Sequence, residues 1–185
     1  MSESKLQRSP NAIAGLKTDH QNVKTLFDDF ENTDDRAMKT TIVNEALEEL
    51  SLHATLEEEL FYPAVRQSIE DEHGVMNEAD EEHHVAKILI AELEEMDGSE
   101  SHYDAKFTVL AENVRHHIKE EEDMFPKAQT TNIDFEALGE EMRGRKEELL
   151  SQGMAATDEA DMVAKSKGQG DSPAKAARAT SSKTD

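Results

Sequence analysis

The 185-residue chain contains no cysteine. That removes disulfides, thiolate nucleophiles, cysteine-held iron–sulfur clusters and thiolate zinc sites together. Tryptophan is absent as well, and aromatic residues make up only 4% of the chain. No apolar run approaches the roughly 18 residues of a membrane-spanning helix. The N-terminal stretch MSESKLQRSPNA carries no apolar signal core, so the expected location is the cytoplasm. Positive charge is scarce: Lys and Arg number 20 against 42 Asp and Glu, a net charge of −22. Residues 151–185 balance their charges, so the whole surplus lies in residues 1–150. A surface that acidic repels phosphate, and neither nucleic acid nor an anionic membrane is expected as a partner.

What remains is helical patterning. Apolar residues recur at three- and four-residue spacing in five segments, and no strand is read. The segments are about Asn11 to Glu31 with a start at Ser9-Pro10, Asp35 to Ile69, Val75 to Met96, Ser101 to Ala128, and Asp134 to Ser151. Pro63 lies inside the second and should bend or interrupt it, because proline lacks the N–H that a helix interior uses. Gly74 and Gly98-Ser99 separate the segments, and Asn132 or Asp134 caps the last. Four long amphipathic helices with short connections predict an all-α, antiparallel up-down-up-down four-helix bundle, followed by a short fifth helix. The predicted domain is 1–152, with its core at about 10–130 and the extra helix at about 134–151. Residues 153–185 have little to bury and are expected to be a disordered tail, a candidate contact for a protein partner.

A shift of 63 residues superposes the first half of the chain on the second. His20 falls on His83, Lys24 on Lys87, His53 on His116, Glu57 on Glu120, Pro63 on Pro126 and Tyr62 on Phe125. The repeated unit has the logic of a metal site. His53 and Glu57 stand at i and i+4 on one helical face, as do His116 and Glu120. His20 and His83 add an imidazole from each of the other two helices. Four nitrogens and two carboxylates at one level suit a pair of iron ions, with manganese as the alternative. An unpaired carboxylate on the apolar stripe of the second helix would be costly, and a cation offsets that cost. The register stays open by one residue: His84 neighbours His83, and His117 with Glu121 is also an i, i+4 pair, lying on the apolar line Phe107, Leu110, Val114. The repeat favours His83, His116 and Glu120. Tyr62 reads as an aromatic at the edge of the core, and Glu59 as a solvent-side charge.

The runs His53-Ala-Thr-Leu-Glu-Glu-Glu-Leu-Phe-Tyr-Pro63 and His116-His-Ile-Lys-Glu-Glu-Glu-Asp-Met-Phe-Pro126 resemble the signature segments of the hemerythrin-like, HHE cation-binding domain. Leu16-Lys-Thr-Asp-His20 and Glu81-Glu-His83 resemble its other two histidine segments. The resemblance implies a non-haem di-iron centre, with His20, His53, His83 and His116 as terminal ligands and Glu57 and Glu120 as bridges. It departs at Lys87, where the oxygen-carrying members place a further histidine; an extra open position is expected there. That departure disfavours reversible O2 transport. The functions expected are O2 binding or reaction with peroxide, including catalase-like turnover. The alternative is a module that senses or stores iron, O2 or nitric oxide without turnover. No catalytic side chain and no organic cofactor is assigned.

Overall fold

The computed structural model describes residues 11–69 and 74–152. All regular structure among them is helical. Helix α1 is Ala12–Glu31 and α2 is Arg36–Leu56. A π-helical turn, Glu57–Phe61, joins α2 to the short α3, Tyr62–Arg66. Then follow α4, Val75–Glu94, α5, Tyr103–Ala128, and α6, Phe135–Gln152. The architecture is the expected antiparallel bundle, in which α2, the π turn and α3 together form the second long helix. The tail from Gly153, the start at Ser9-Pro10 and His73 lie outside the described residues.

Local chemistry sets the ends. The Asn11 side chain accepts the Ala14 N–H at 3.2 Å, so Asn11 caps α1. Asp35 caps α2 through the Met38 N–H, and Asp134 accepts the Glu136 and Ala137 N–H groups ahead of α6. Gly98, in the connection between α4 and α5, has φ +86°, a conformation that side chains resist, and its backbone passes close to Thr40.

The second long helix departs from α geometry ahead of Pro63, whereas α5 runs unbroken past Pro126, and helical periodicity does not disclose the difference. Pro63 has no N–H to give the carbonyl four residues back. Just before it the chain widens by one residue per turn, and the Tyr62 N–H reaches the Glu57 carbonyl five residues back. Such turns insert a single residue into an otherwise α-helical run.

The interior is two apolar clusters with a polar layer between them. One cluster includes Val23, Phe27, Phe30, Val43, Leu47, Phe107 and Leu110. The other includes Leu16, Phe61, Tyr62, Met76 and Phe125, and is closed by Phe135, Leu138 and Met142 of α6. Burying each large side chain stabilises the fold by about 1.5–3 kcal/mol. The two clusters exclude water from the layer they enclose, and that layer carries the polar chemistry.

Candidate metal centre

Six polar side chains are buried, and all but Ser51 gather between the clusters: His20, Glu57, His83, His117 and Glu121. His53 reaches this layer with a side chain that is nearly buried. Among the described residues, these five donors and His53 fall into two groups that share Glu57. The first is His20, His53, Glu57 and Glu121; the second is Glu57, His83 and His117. In the first, His53 Nε2 is 3.1 Å from Glu57 Oε1, and His20 Nε2 is 3.1 Å from Glu121 Oε2. In the second, His83 Nε2 lies 3.3 Å from Glu57 Oε2 and 3.2 Å from His117 Nε2.

Of the six residues expected here, His20, His53, Glu57 and His83 converge. His116 and Glu120 do not. The His116 side chain is 61% exposed and meets Glu120 and Glu82 at the surface, at 3.2 and 3.5 Å. Their places are taken by His117 and Glu121, the next residue along in each case. His84 is exposed.

The one-residue correction has a definite cause. His20 and His83 are 63 residues apart, and so are Pro63 and Pro126, but the converging pairs His53/His117 and Glu57/Glu121 are 64 apart. The connection 95–102 is four residues longer than its counterpart 32–35, and α5 runs three residues fewer to His117 than α2 runs to His53, a net gain of one. The π turn at Glu57–Phe61 adds the compensating residue in the first half and restores the offset of 63 at the prolines. Aligning the prolines therefore points to His116 and Glu120, one residue short of the pair that converges. The apolar line Phe107, Leu110, Val114 was the better signal, because His117 and Glu121 continue it.

Three of the four histidines are hydrogen-bonded from behind, and the fourth has a carboxylate nearby. The Nδ1 atoms of His83, His117 and His20 lie 3.0, 2.9 and 3.2 Å from Glu58, Glu82 and Glu122, and His53 Nδ1 lies 3.7 Å from Asp19. A carboxylate behind Nδ1 fixes the ring and its tautomer, turning the Nε2 lone pair inward. Lysines balance three of these carboxylates: Lys24 on Glu122, Lys87 on Glu58, and Lys146 of α6 on Asp19. Lys87 is thus turned away from the donors. Tyr62 also reaches the donors: its oxygen lies 3.3 Å from Glu57, His83 and His117. Tyr62 is part of the polar layer, not an aromatic at the core edge.

The electrostatics fit a cation. Buried His20 Nε2, His53 Nε2, Glu57 Oε1 and both Glu121 carboxylate oxygens make no aligned hydrogen bond, although they face one another at distances down to 3.1 Å. Orphaned buried polar atoms are costly, and these all belong to one donor group. Burial raises the Glu57 carboxyl, but His53, His117 and His83 outweigh it and hold the group well below the usual range. Burial and the adjacent Glu57 charge push Glu121 up. Burial opposes charge on His53 and His117 too, yet neighbouring carboxylates hold them up to about 10 and about 9.

Both histidines must shed a proton to present a lone pair to a cation. Apparent cation affinity is therefore expected to fall by about tenfold per pH unit for each such proton as pH drops below these values. Calorimetric titration in buffers of different ionisation enthalpy will count the protons released. The metal-free protein should show the opposite stability trend. The raised values stabilise it fully below the ordinary histidine pKa of 6.5, and that contribution is lost as pH rises through about 9 and about 10. Its melting temperature should drop between pH 7 and pH 10, while the loaded protein's should not.

A cavity of about 30 Å³ borders both donor groups. His20, His53, His83 and His117 form one wall, and Val23, Leu50, Ala86, Ile90, Val114 and Ile118 form much of the rest. It has room for a molecule of about two non-hydrogen atoms.

Comparison with known proteins agrees with this geometry. Residues 11–128 match the family model described as the hemerythrin HHE cation binding domain. The crystal structure of a hemerythrin HHE cation binding domain-containing protein from Mycobacterium kansasii superposes with a TM-score of 0.63. It is 26% identical, and the match covers 79% of this chain and 96% of that one. A DNA nickase from Nostoc sp. PCC 7120 is 26% identical over 121 residues, 65% of this chain; the match spans about a third, 34%, of the nickase's length.

Proposed function

The chain belongs to the hemerythrin HHE cation-binding domain family, and from that premise we propose that it is a non-haem di-iron protein that binds O2 or reacts with peroxide. The observation that carries the reading is Glu57, a fully buried carboxylate whose two oxygens face two different histidine-bearing groups. A carboxylate so placed would offer one oxygen to each of two ions. Histidine and carboxylate donors without thiolate suit iron or manganese.

Iron supplies the electrons for O2 or peroxide chemistry. The chain supplies the rest: carboxylates behind the imidazoles fix their direction, and the apolar clusters keep bulk water out. The small cavity against four histidines limits the ligand to the size of O2, peroxide or nitric oxide. The nickase activity of the Nostoc relative is not part of this proposal, since a net charge of −22 opposes DNA binding.

The test is anaerobic loading with ferrous iron, followed by addition of O2 or hydrogen peroxide to the full chain. Two irons per chain with O2 evolution from peroxide establishes a catalase-like enzyme. Two irons with a spectral change on O2 or nitric oxide but no turnover establishes a sensing or binding module. Failure to retain iron overturns the proposal.

A further inference from the structure

The two halves of the chain pair the carboxylates behind the buried histidines: Glu58 with Glu122, and Asp19 with Glu82. Lys87 and Lys24 neutralise the first pair, and Lys146 of α6 neutralises Asp19. Among the described residues, no lysine or arginine pairs with Glu82. What Glu82 meets instead is His116, with Glu120 beside it. At the offset of 64 residues these two stand where Leu52 and Leu56 are buried in the first half. Polar residues thus replace apolar ones at the one place where the balancing ammonium is missing.

Glu82 Oε1 is 3.5 Å from His116 Nε2, which is 3.2 Å from Glu120 Oε1. One donor atom from each residue lies within 4.8 Å of the other two. Ligands held tetrahedrally at about 2.1 Å from a metal stand about 3.4 Å apart, so these atoms close on one ion with little movement. A protonated His116 would balance one of the two carboxylates; a divalent cation balances both. The site is also tied to the interior. The other Glu82 oxygen, Oε2, is 2.9 Å from His117 Nδ1, so one carboxylate and one imidazole ring separate it from the donor group of Glu57, His83 and His117. A cavity of about 10 Å³ is lined by Glu82 and Glu120 and by the buried Tyr62, His117 and Glu121. Both carboxylate oxygens of Glu121 make no aligned hydrogen bond, which favours a cation moving inward.

We propose that Glu82, His116 and Glu120 form an outer divalent-cation site through which iron enters the group of Glu57, His83 and His117. The net charge of −22 concentrates cations at the surface, and the outer site is where one is captured. The inference rests on the metal-binding reading above and adds to it a third, exchangeable position.

The test uses the full chain and ferrous iron without oxygen. It compares wild type with His116→Ala and Glu120→Gln, and with Glu112→Gln, an exposed acid on the same helix, as the control for net charge. Uptake is read as iron retained after a rapid chelator quench, and release as iron lost to excess chelator. In both site variants uptake and release should slow together by about tenfold or more, with two irons per chain still bound at equilibrium. An entry site alters both rates and leaves the final affinity alone, whereas damage to the fold would speed release. Glu112→Gln should behave as wild type. Manganese(II) added to wild type already holding two irons should bind once more per chain, weakly enough to be lost on dialysis, and should not bind either site variant. Unchanged rates, faster release, or a further manganese ion that is missing from wild type or equally present in the variants overturns the proposal. Wild type that retains no iron overturns the metal-binding reading, and the entry role with it.

Discussion

Replacing Glu57 with alanine is expected to empty both donor groups at once. Its carboxylate is fully buried, with one oxygen 3.1 Å from His53 and the other 3.3 Å from His83. No other described side chain belongs to both groups. Changes that only reorient a ligand from behind cost 10–100-fold in metal affinity, so loss of a shared ligand should cost about 100-fold or more at each position. Metal content after dialysis should fall from two ions per chain to nearly none. Glu59→Ala is the matched control: Glu59 is exposed and pairs with Arg145 of α6, and its loss should leave metal content unchanged. Equal metal content in the two variants would remove Glu57 from the site.

The second large effect distinguishes adjacent residues. His117→Ala and Glu121→Ala should each strip an ion, since both side chains are buried in the donor layer. His116→Ala and Glu120→Ala should retain both ions, because these side chains meet at the surface. The thermal stabilisation by bound metal should follow the same division, because a ligand that binds only the folded state raises its stability by mass action. At a free metal concentration 100 times the dissociation constant that amounts to about 2.7 kcal/mol. His116→Ala should keep this gain and His117→Ala should lose much of it. The reverse pattern would return the ligands to the register that the 63-residue repeat favours.

That pair of variants also marks where the sequence stops being legible. The helical bundle and the capped fifth helix could be read because apolar spacing and cap residues act locally. His20, His53, Glu57 and His83 could be read because they combine helical phase with repetition. His116 and Glu120 were chosen over their neighbours by a rigid offset, and a rigid offset assumes the same number of residues per turn in both halves. The unequal connection ahead of α5 and the π turn at Glu57–Phe61 both break that correspondence. The turn depends on which carbonyl the Tyr62 N–H reaches, and hydropathy carries no trace of that. The same turn delivers Tyr62 to the donor layer, so its place there was hidden for the same reason. The carboxylates behind the histidines escaped notice differently. Asp19, Glu58, Glu82 and Glu122 are four among 42 acids, and only the packing of different helices separates them from solvated charge.

The most direct test of the account is anomalous X-ray diffraction at the iron edge from crystals of the iron-loaded chain. Two peaks are expected in the polar layer, one among His20, His53, Glu57 and Glu121, the other among Glu57, His83 and His117, with the Glu57 carboxylate between them. A single peak, peaks only at the surface group of Glu82, His116 and Glu120, or no peak at all would contradict it.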